Sequence, residues 1–213
     1  ELPADAVVGT SAKEYLHIED DYLIAIGLTP NRVDAASHIG VARDLYAYLK
    51  ANNIAAELVW PSVEGFQVDN HDLEIKVRVE NKEAAPRYAG VSVTGCKIAP
   101  SPEWMQNALR AAGINPKNNL VDITNFVLFE LGQPLHAFDA DKIEGKEVVV
   151  RTCSEGTPFV TLDGVERKLT EKDLMICSAE RPMCIAGVFG GLDSGVSDET
   201  VNVFLESAYF NPV

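Results

Sequence analysis

Hydrophobic positions along this chain repeat with two different periods. After Pro30, the apolar residues Ile39, Val41, Ala42, Leu45, Tyr46 and Leu49 recur about every 3.6 positions. That spacing predicts a helix of roughly four turns, with Asp34 available to cap its start. A second helix opens at Ser101-Pro102-Glu103, which supplies a capping side chain, a proline at the first helical position and an early carboxylate, and it closes at Gly113. A third runs from about Asn118 to Leu131, with Leu120, Val127 and Leu131 on one stripe and Gly132 as its stop. Ahead of them, Tyr22-Leu23-Ile24-Ala25-Ile26 is a short apolar run between the acidic pair Glu19-Asp20 and Gly27, and it reads as a strand after a polar linker.

Alternation marks the remaining elements. Leu73 to Val79 alternates strictly and Tyr88 to Thr94 nearly so, which predicts two half-buried strands. Past Gly132, period two takes over. Val148 to Val150 is a strand, and Thr157 to Leu162 and Val165 to Leu169 flank the hairpin signal Asp163-Gly164. Leu174 to Cys177, Pro182 to Ala186 and Val201 to Glu206 complete the set, while His136 falls in a loop just past the helix stop. With about three helices early and strands late, the fold class is α+β with mixed, mostly antiparallel sheets, rather than a doubly wound parallel fold. No internal repeat or low-complexity tract breaks this order.

Composition narrows the setting. At 213 residues and 46% hydrophobic content, the chain can bury the core of one large domain or two small ones, which excludes disorder. Eighteen basic against 32 acidic residues leave a net charge of −14, a field that repels a phosphate backbone. Any nucleic-acid partner must therefore be held mostly elsewhere. A free-standing RNA-binding protein is disfavoured also by the lack of a basic stripe with interleaved aromatics. Cys96, Cys153, Cys177 and Cys184 lie far apart with no CxxC pair, the usage of a reduced, cytoplasmic chain with free thiols. No apolar run reaches the roughly 18 residues of a membrane span, so no membrane partner is expected. The first residues have neither the basic region nor the apolar core of a signal peptide. The start at Glu1 and the end at Val213 read as those of a piece of a longer protein.

Candidate chemistry is sparse. His17, His38, His71 and His136 are scattered, with no HExxH and no Cys/His cluster, so no metal site is expected. There is no GxxxxGK[ST], Gly187-Val188-Phe189-Gly190-Gly191 lacks the spacing of a dinucleotide fingerprint, and Ser194 stands outside a GxSxG elbow. Three features remain. Thr124 lies on the inward stripe of its helix, with Asn125 adjacent and His136 beyond the helix stop; the plain alternative is a threonine bonded to its own backbone and a packed or loop histidine. Ala186 through Gly191 places three glycines directly after a strand, which permits positive φ and close approach of a backbone or ligand, or is only a tight turn. Finally, Asn202, Phe204 and Glu206 share one face of the last strand, opposite Val201, Val203 and Leu205. By default Glu206 there is a solvent-facing acid beside an exposed aromatic.

Four separated motifs add a family resemblance. They are Leu28-Thr29-Pro30-Asn31-Arg32-Val33-Asp34, Val121-Asp122-Ile123-Thr124-Asn125-Phe126-Val127, Glu130-Leu131-Gly132-Gln133-Pro134-Leu135-His136-Ala137-Phe138-Asp139, and Gly190-Gly191 through Leu205-Glu206-Ser207-Ala208-Tyr209-Phe210. In this order they closely resemble the beta subunits of bacterial phenylalanyl-tRNA synthetase, over nearly the whole chain. The resemblance implies a linker from an upstream tRNA-binding region at 1–20 and a tRNA-editing domain at 21–213, open to division into two interleaved subdomains and truncated at its C-terminal end. The implied activity is hydrolysis of tyrosine wrongly esterified to the phenylalanine tRNA. Thr124, Asn125 and His136 would be its catalytic residues, and Glu206, Gly187 and Gly190, with Ala186 and Gly191 on the same turn, its substrate-binding ones. Implied partners are the tyrosine-bearing 3′ end of that tRNA and the alpha subunit, within a cytoplasmic alpha-beta heterotetramer. The synthetic site, with its ATP and magnesium, belongs to the alpha subunit, so this chain is expected to use no cofactor. Asn115-Pro116 stands where the family commonly has Arg-Pro, so a basic contact to the tRNA end is missing or moved. The family's site also draws on residues following Val213, which would leave the pocket open on one side.

The chemistry suits these residue types. A site that hydrogen-bonds the tyrosyl hydroxyl can reject the phenylalanyl analogue by roughly 10⁴ or more, because its own polar group would be left unpaired. Glu206 is the expected reader, through a charge-assisted bond. Thr124, Asn125 and the amides around Gly187 to Gly191 are expected to stabilise the oxyanion. His136 is a candidate base, unless the substrate's own ribose hydroxyls place the water. The alternative is a non-catalytic scaffold or binding module packed against the alpha subunit.

Overall fold

The computed structural model describes residues 6–15 and 20–212. The linker read at 1–20 therefore lies partly outside the described residues, as does His17; its described part carries the short helix α1 (Ala12–Tyr15). Three longer helices follow: α2 (His38–Ala51), α3 (Glu103–Ala111) and α4 (Asn119–Leu131). The cap of α2 is Ser37, not Asp34: the Ser37 hydroxyl accepts from the Gly40 amide at 3.1 Å. Asp34 stands in a separate 3₁₀ turn, Val33–Ala35, and pairs with Arg32. That turn folds so closely over the helix start that a Cβ at Gly40 would stand 2.5 Å from the Asp34 carbonyl oxygen. Ser101 likewise does not cap α3, where Pro102 is the boundary residue. Buried Ser101 instead donates to Asp122 at 2.5 Å, tying the start of α3 to α4. Asn118 caps α4 by accepting from the Val121 amide, and Gly132 ends it at φ +77°, where only glycine is unstrained.

The strands are β1 (Lys76–Val79), β2 (Arg87–Val93), β3 (Leu135–Asp139), β4 (Glu147–Thr152), β5 (Pro158–Val160), β6 (Glu166–Lys168), β7 (Leu174–Cys177), β8 (Pro182–Ile185), β9 (Phe189–Gly190) and β10 (Val203–Tyr209). They form a five-stranded sheet in the order β1-β4-β7-β8-β9, a three-stranded sheet β2-β10-β3 and the hairpin β5-β6. Among the described residues, only the β1–β4 pairing is parallel. The fold is α+β, helices early and strands late. Phe138 and Phe204 of the three-stranded sheet pack against Val148, Ile176, Met183 and Cys184 of the five-stranded one. On its other face, Val149, Met175 and Cys177 meet Phe159 and Leu169 of the hairpin. Coverage of both faces explains why Val148, Val149 and Val150 are all buried in a row.

Two further expectations are corrected. Residues 22–26 form no strand, and Tyr22 is 90% exposed; an apolar run becomes a strand only where a partner edge meets it, and none does here. His136, expected in a loop, lies on β3, which pairs with the last strand.

Candidate functional site

The central strand of the small sheet organises the site. Antiparallel register sets Glu206 opposite His136 on one side and opposite Gly90 on the other. It likewise sets Phe204 opposite Phe138, and Ala208 opposite Tyr88. Directly paired residues share a face, so Tyr88, His136, Phe138, Phe204 and Glu206 all belong to the face whose phenylalanines pack on the large sheet. Gly90 is needed there because a Cβ would stand 2.1 Å from Cζ of Phe204. The default of an exposed acid beside an exposed aromatic is overturned: Phe204 is 2% and Glu206 6% exposed.

Burial governs the electrostatics. It alone pushes the Glu206 carboxyl up to about 7. It pushes His136 down, favouring the neutral ring, whose buried Nε2 has no hydrogen-bond partner and whose ring meets Phe138 edge-on at 4.5 Å. The Tyr88 hydroxyl is also buried and unpartnered, and its pKa is raised by burial first and the nearby Glu206 charge second. The Cys184 thiol is pushed up to about 12 by the same two causes in the same order.

The glycine turn contributes unevenly. Gly190 brings β9 against His136: a Cβ on it would stand 3.1 Å from Cε1 of the imidazole. Gly187 turns the chain at φ +68° and faces the Phe210 ring. Ala186 packs on the Phe138–Phe204 core. Gly191 faces away, against the Met183 carbonyl and Phe159, on the wall of a separate cavity of about 290 Å³ shared with Arg181 and Ser194. The amides of Val188 and Gly191 already donate to Ile185 and Met183, so neither is a ready oxyanion donor.

Thr124 and Asn125 are half-buried on α4, the helix that packs on β3. The Thr124 hydroxyl donates to the Val121 carbonyl at 2.8 Å, as the plain alternative foresaw. The structure thus joins His136 to Glu206 by strand register and to Gly190 by close approach, and carries Thr124 and Asn125 on the helix that packs on β3. Asn115 is exposed between α3 and α4. Among the described residues, no group of three or more His, Cys, Asp or Glu side chains is arranged to hold a metal ion, and no helix is long and apolar enough to cross a membrane. Tyr88 and Cys184 are neighbours of Glu206 that the sequence reading missed. Alternation placed Tyr88 on a strand, but nothing local signals that this strand pairs with β10.

Residues 84–213 match the B3/4 domain family. The phenylalanine–tRNA ligase beta subunit of Bacteroides fragilis is 64% identical over 211 residues, 99% of this chain and 26% of that protein. The beta subunits of Bacteroides thetaiotaomicron and Porphyromonas gingivalis are 63% and 58% identical, with the same two coverages. A crystal structure of an N-terminal fragment of the Pyrococcus horikoshii phenylalanyl-tRNA synthetase beta subunit aligns with a TM-score of 0.49 at 17% identity, covering 85% of this chain and 54% of that one. The chain spans 26% of the length of these bacterial relatives, and its residues 84–213 carry the domain that places it in the B3/4 family.

Proposed function

We propose that Glu206 and His136 form the amino-acid end of an editing site that hydrolyses tyrosine mis-esterified to the phenylalanine tRNA. The observation that carries this reading is a buried carboxyl opposite a half-buried imidazole whose Nε2 is buried without a partner, on a sheet face shared with aromatic side chains. Unmet polar groups in an apolar layer are costly, at about 1–3 kcal/mol each, and a phenol entering between them removes that cost. An ionised Glu206 accepts the tyrosyl hydroxyl proton in a charge-assisted bond. A phenylalanyl side chain would desolvate the same carboxylate and return nothing. Neutral His136 is able to take a proton from the attacking water or to orient it. Thr124 and Asn125, on the helix behind β3, serve the ester end, and Gly190 keeps the wall beside His136 open. The hydrolysis draws on no cofactor in this chain; ATP and magnesium serve a synthetic site in the alpha subunit, with which the parent beta subunit assembles in the cytoplasm.

The test is deacylation of tyrosyl- and phenylalanyl-tRNA by the full synthetase and its Glu206→Ala and Glu206→Gln variants. Alanine should cost the tyrosyl substrate roughly 1.5–3 kcal/mol and erase the preference over phenylalanyl ester. Glutamine should be milder, since its amide oxygen still accepts. An unchanged tyrosyl-to-phenylalanyl ratio in both variants would remove Glu206 from recognition.

A further inference from the structure

Two polar side chains on the Glu206 face, Tyr88 and Ser92, are left unused by the editing reading, and of the two it is the Tyr88 hydroxyl that is buried without a partner. Tyr88 stands opposite Ala208 on β2, a diagonal neighbour of Glu206 on β10, a relation that spans about 7–8 Å and lies within reach of an aromatic ring. Ala208 is small, so the ring has room to lean across the sheet. Tyr88 packs on the same core cluster as Ala186 and Phe210, which fixes the ring, yet its buried hydroxyl meets no hydrogen-bond partner. A buried, unpaired hydroxyl held in one orientation is costly unless a further group completes it.

We infer that Tyr88 is a second specificity-determining residue of this site, donating its hydroxyl proton to the oxygen of the substrate's phenol while Glu206 accepts that phenol's proton. The inference rests on the editing reading. A phenolic hydroxyl is at once donor and acceptor, and a lone carboxylate answers only the donor half. Tyr88 answers the other half. Together they leave two polar groups unpaired when the ring carries no hydroxyl, which sharpens rejection of the cognate phenylalanyl ester. Burial first and the charge of Glu206 second hold the Tyr88 phenol protonated and therefore a donor.

The experiment uses the full synthetase with Tyr88→Phe, beside wild type and Glu206→Ala. The substrates are tRNA esterified with tyrosine, phenylalanine or 4-aminophenylalanine, whose aryl amine donates well but accepts poorly. Tyr88→Phe should lower kcat/KM for the tyrosyl ester about 2- to 12-fold, the equivalent of one net hydrogen bond. It should leave the phenylalanyl and 4-aminophenylalanyl esters at wild-type rates. Glu206→Ala should damage both the tyrosyl and the 4-aminophenylalanyl reactions. An unaltered tyrosyl rate in Tyr88→Phe, with Glu206→Ala still losing discrimination, overturns the role of Tyr88 and leaves the editing reading standing. Equal losses on tyrosyl and 4-aminophenylalanyl esters, or on all three, also overturn it, since Tyr88 would then act through Glu206 or through the packing. A wild-type enzyme with no preference for the tyrosyl ester overturns the editing reading and this inference together.

Discussion

Glu206 and His136 face each other across one strand pair, and burial moves them in opposite directions. The carboxyl rises from its ordinary 4.5 to about 7, so ionising it inside the fold is unfavourable. Its contribution to stability is fully present below pH 4.5 and is lost as the pH rises through about 7. The rise corresponds to about 3 kcal/mol. His136 is lowered instead, so its contribution is present above 6.5 and is lost as the pH falls below that value. Glu206→Gln, a neutral near-isostere, should therefore stabilise the chain at pH 8 by up to about 3 kcal/mol and change it little at pH 5, as read by urea denaturation. Activity should show the reverse preference. Tyrosyl-ester hydrolysis should climb through about pH 7 as Glu206 ionises, and that limb should vanish in Glu206→Gln.

At the scale of elements, the site depends on how tightly β2 and β10 press together. Phe204 projects over Gly90, where an added Cβ would fall 2.1 Å from Cζ and 2.5 Å from Cε2 of a ring already packed against Phe138. Gly90→Ala should therefore cost about 1–3 kcal/mol through overpacking. For a chain of this size that lowers Tm by about 2–4 °C per kcal/mol, readable by calorimetry. Gly27→Ala, where a Cβ would meet nothing within 4 Å, is the neutral control.

At the scale of the molecule, a net charge of −14 sets what this chain does alone. It should bind tRNA more weakly than micromolar at physiological salt, with a shallow dependence of affinity on salt, because few phosphates would be neutralised. Filter binding across a salt series checks this, and micromolar binding with a steep slope would contradict it. The exposed apolar residues Val59, Trp60, Val63 and Phe66 lie in the extended segment between α2 and β1, far along the chain from the Glu206 face.

What the sequence determined on its own is local. Asn118 and Gly132 bracket α4, and Asp163-Gly164 turns the β5–β6 hairpin, because caps and tight turns are contacts between residues a few positions apart. Period two likewise assigned Phe204 and Glu206 to one face of a strand before any partner was known. Periodicity names a face without saying what covers it. That this face is the buried one, that Glu206 meets His136 with Tyr88 as its diagonal neighbour, and that residues 22–26 find no partner strand are outcomes of pairing between segments far apart in the chain. Ser101 shows the same division, since its position before a helix reads as a cap while its hydroxyl is taken by Asp122 of the next helix. Tertiary structure decided these points because each turns on whether a segment distant in the chain arrives as a partner, and no local signal records that; for Ser101 the partner that arrived offered a buried bond.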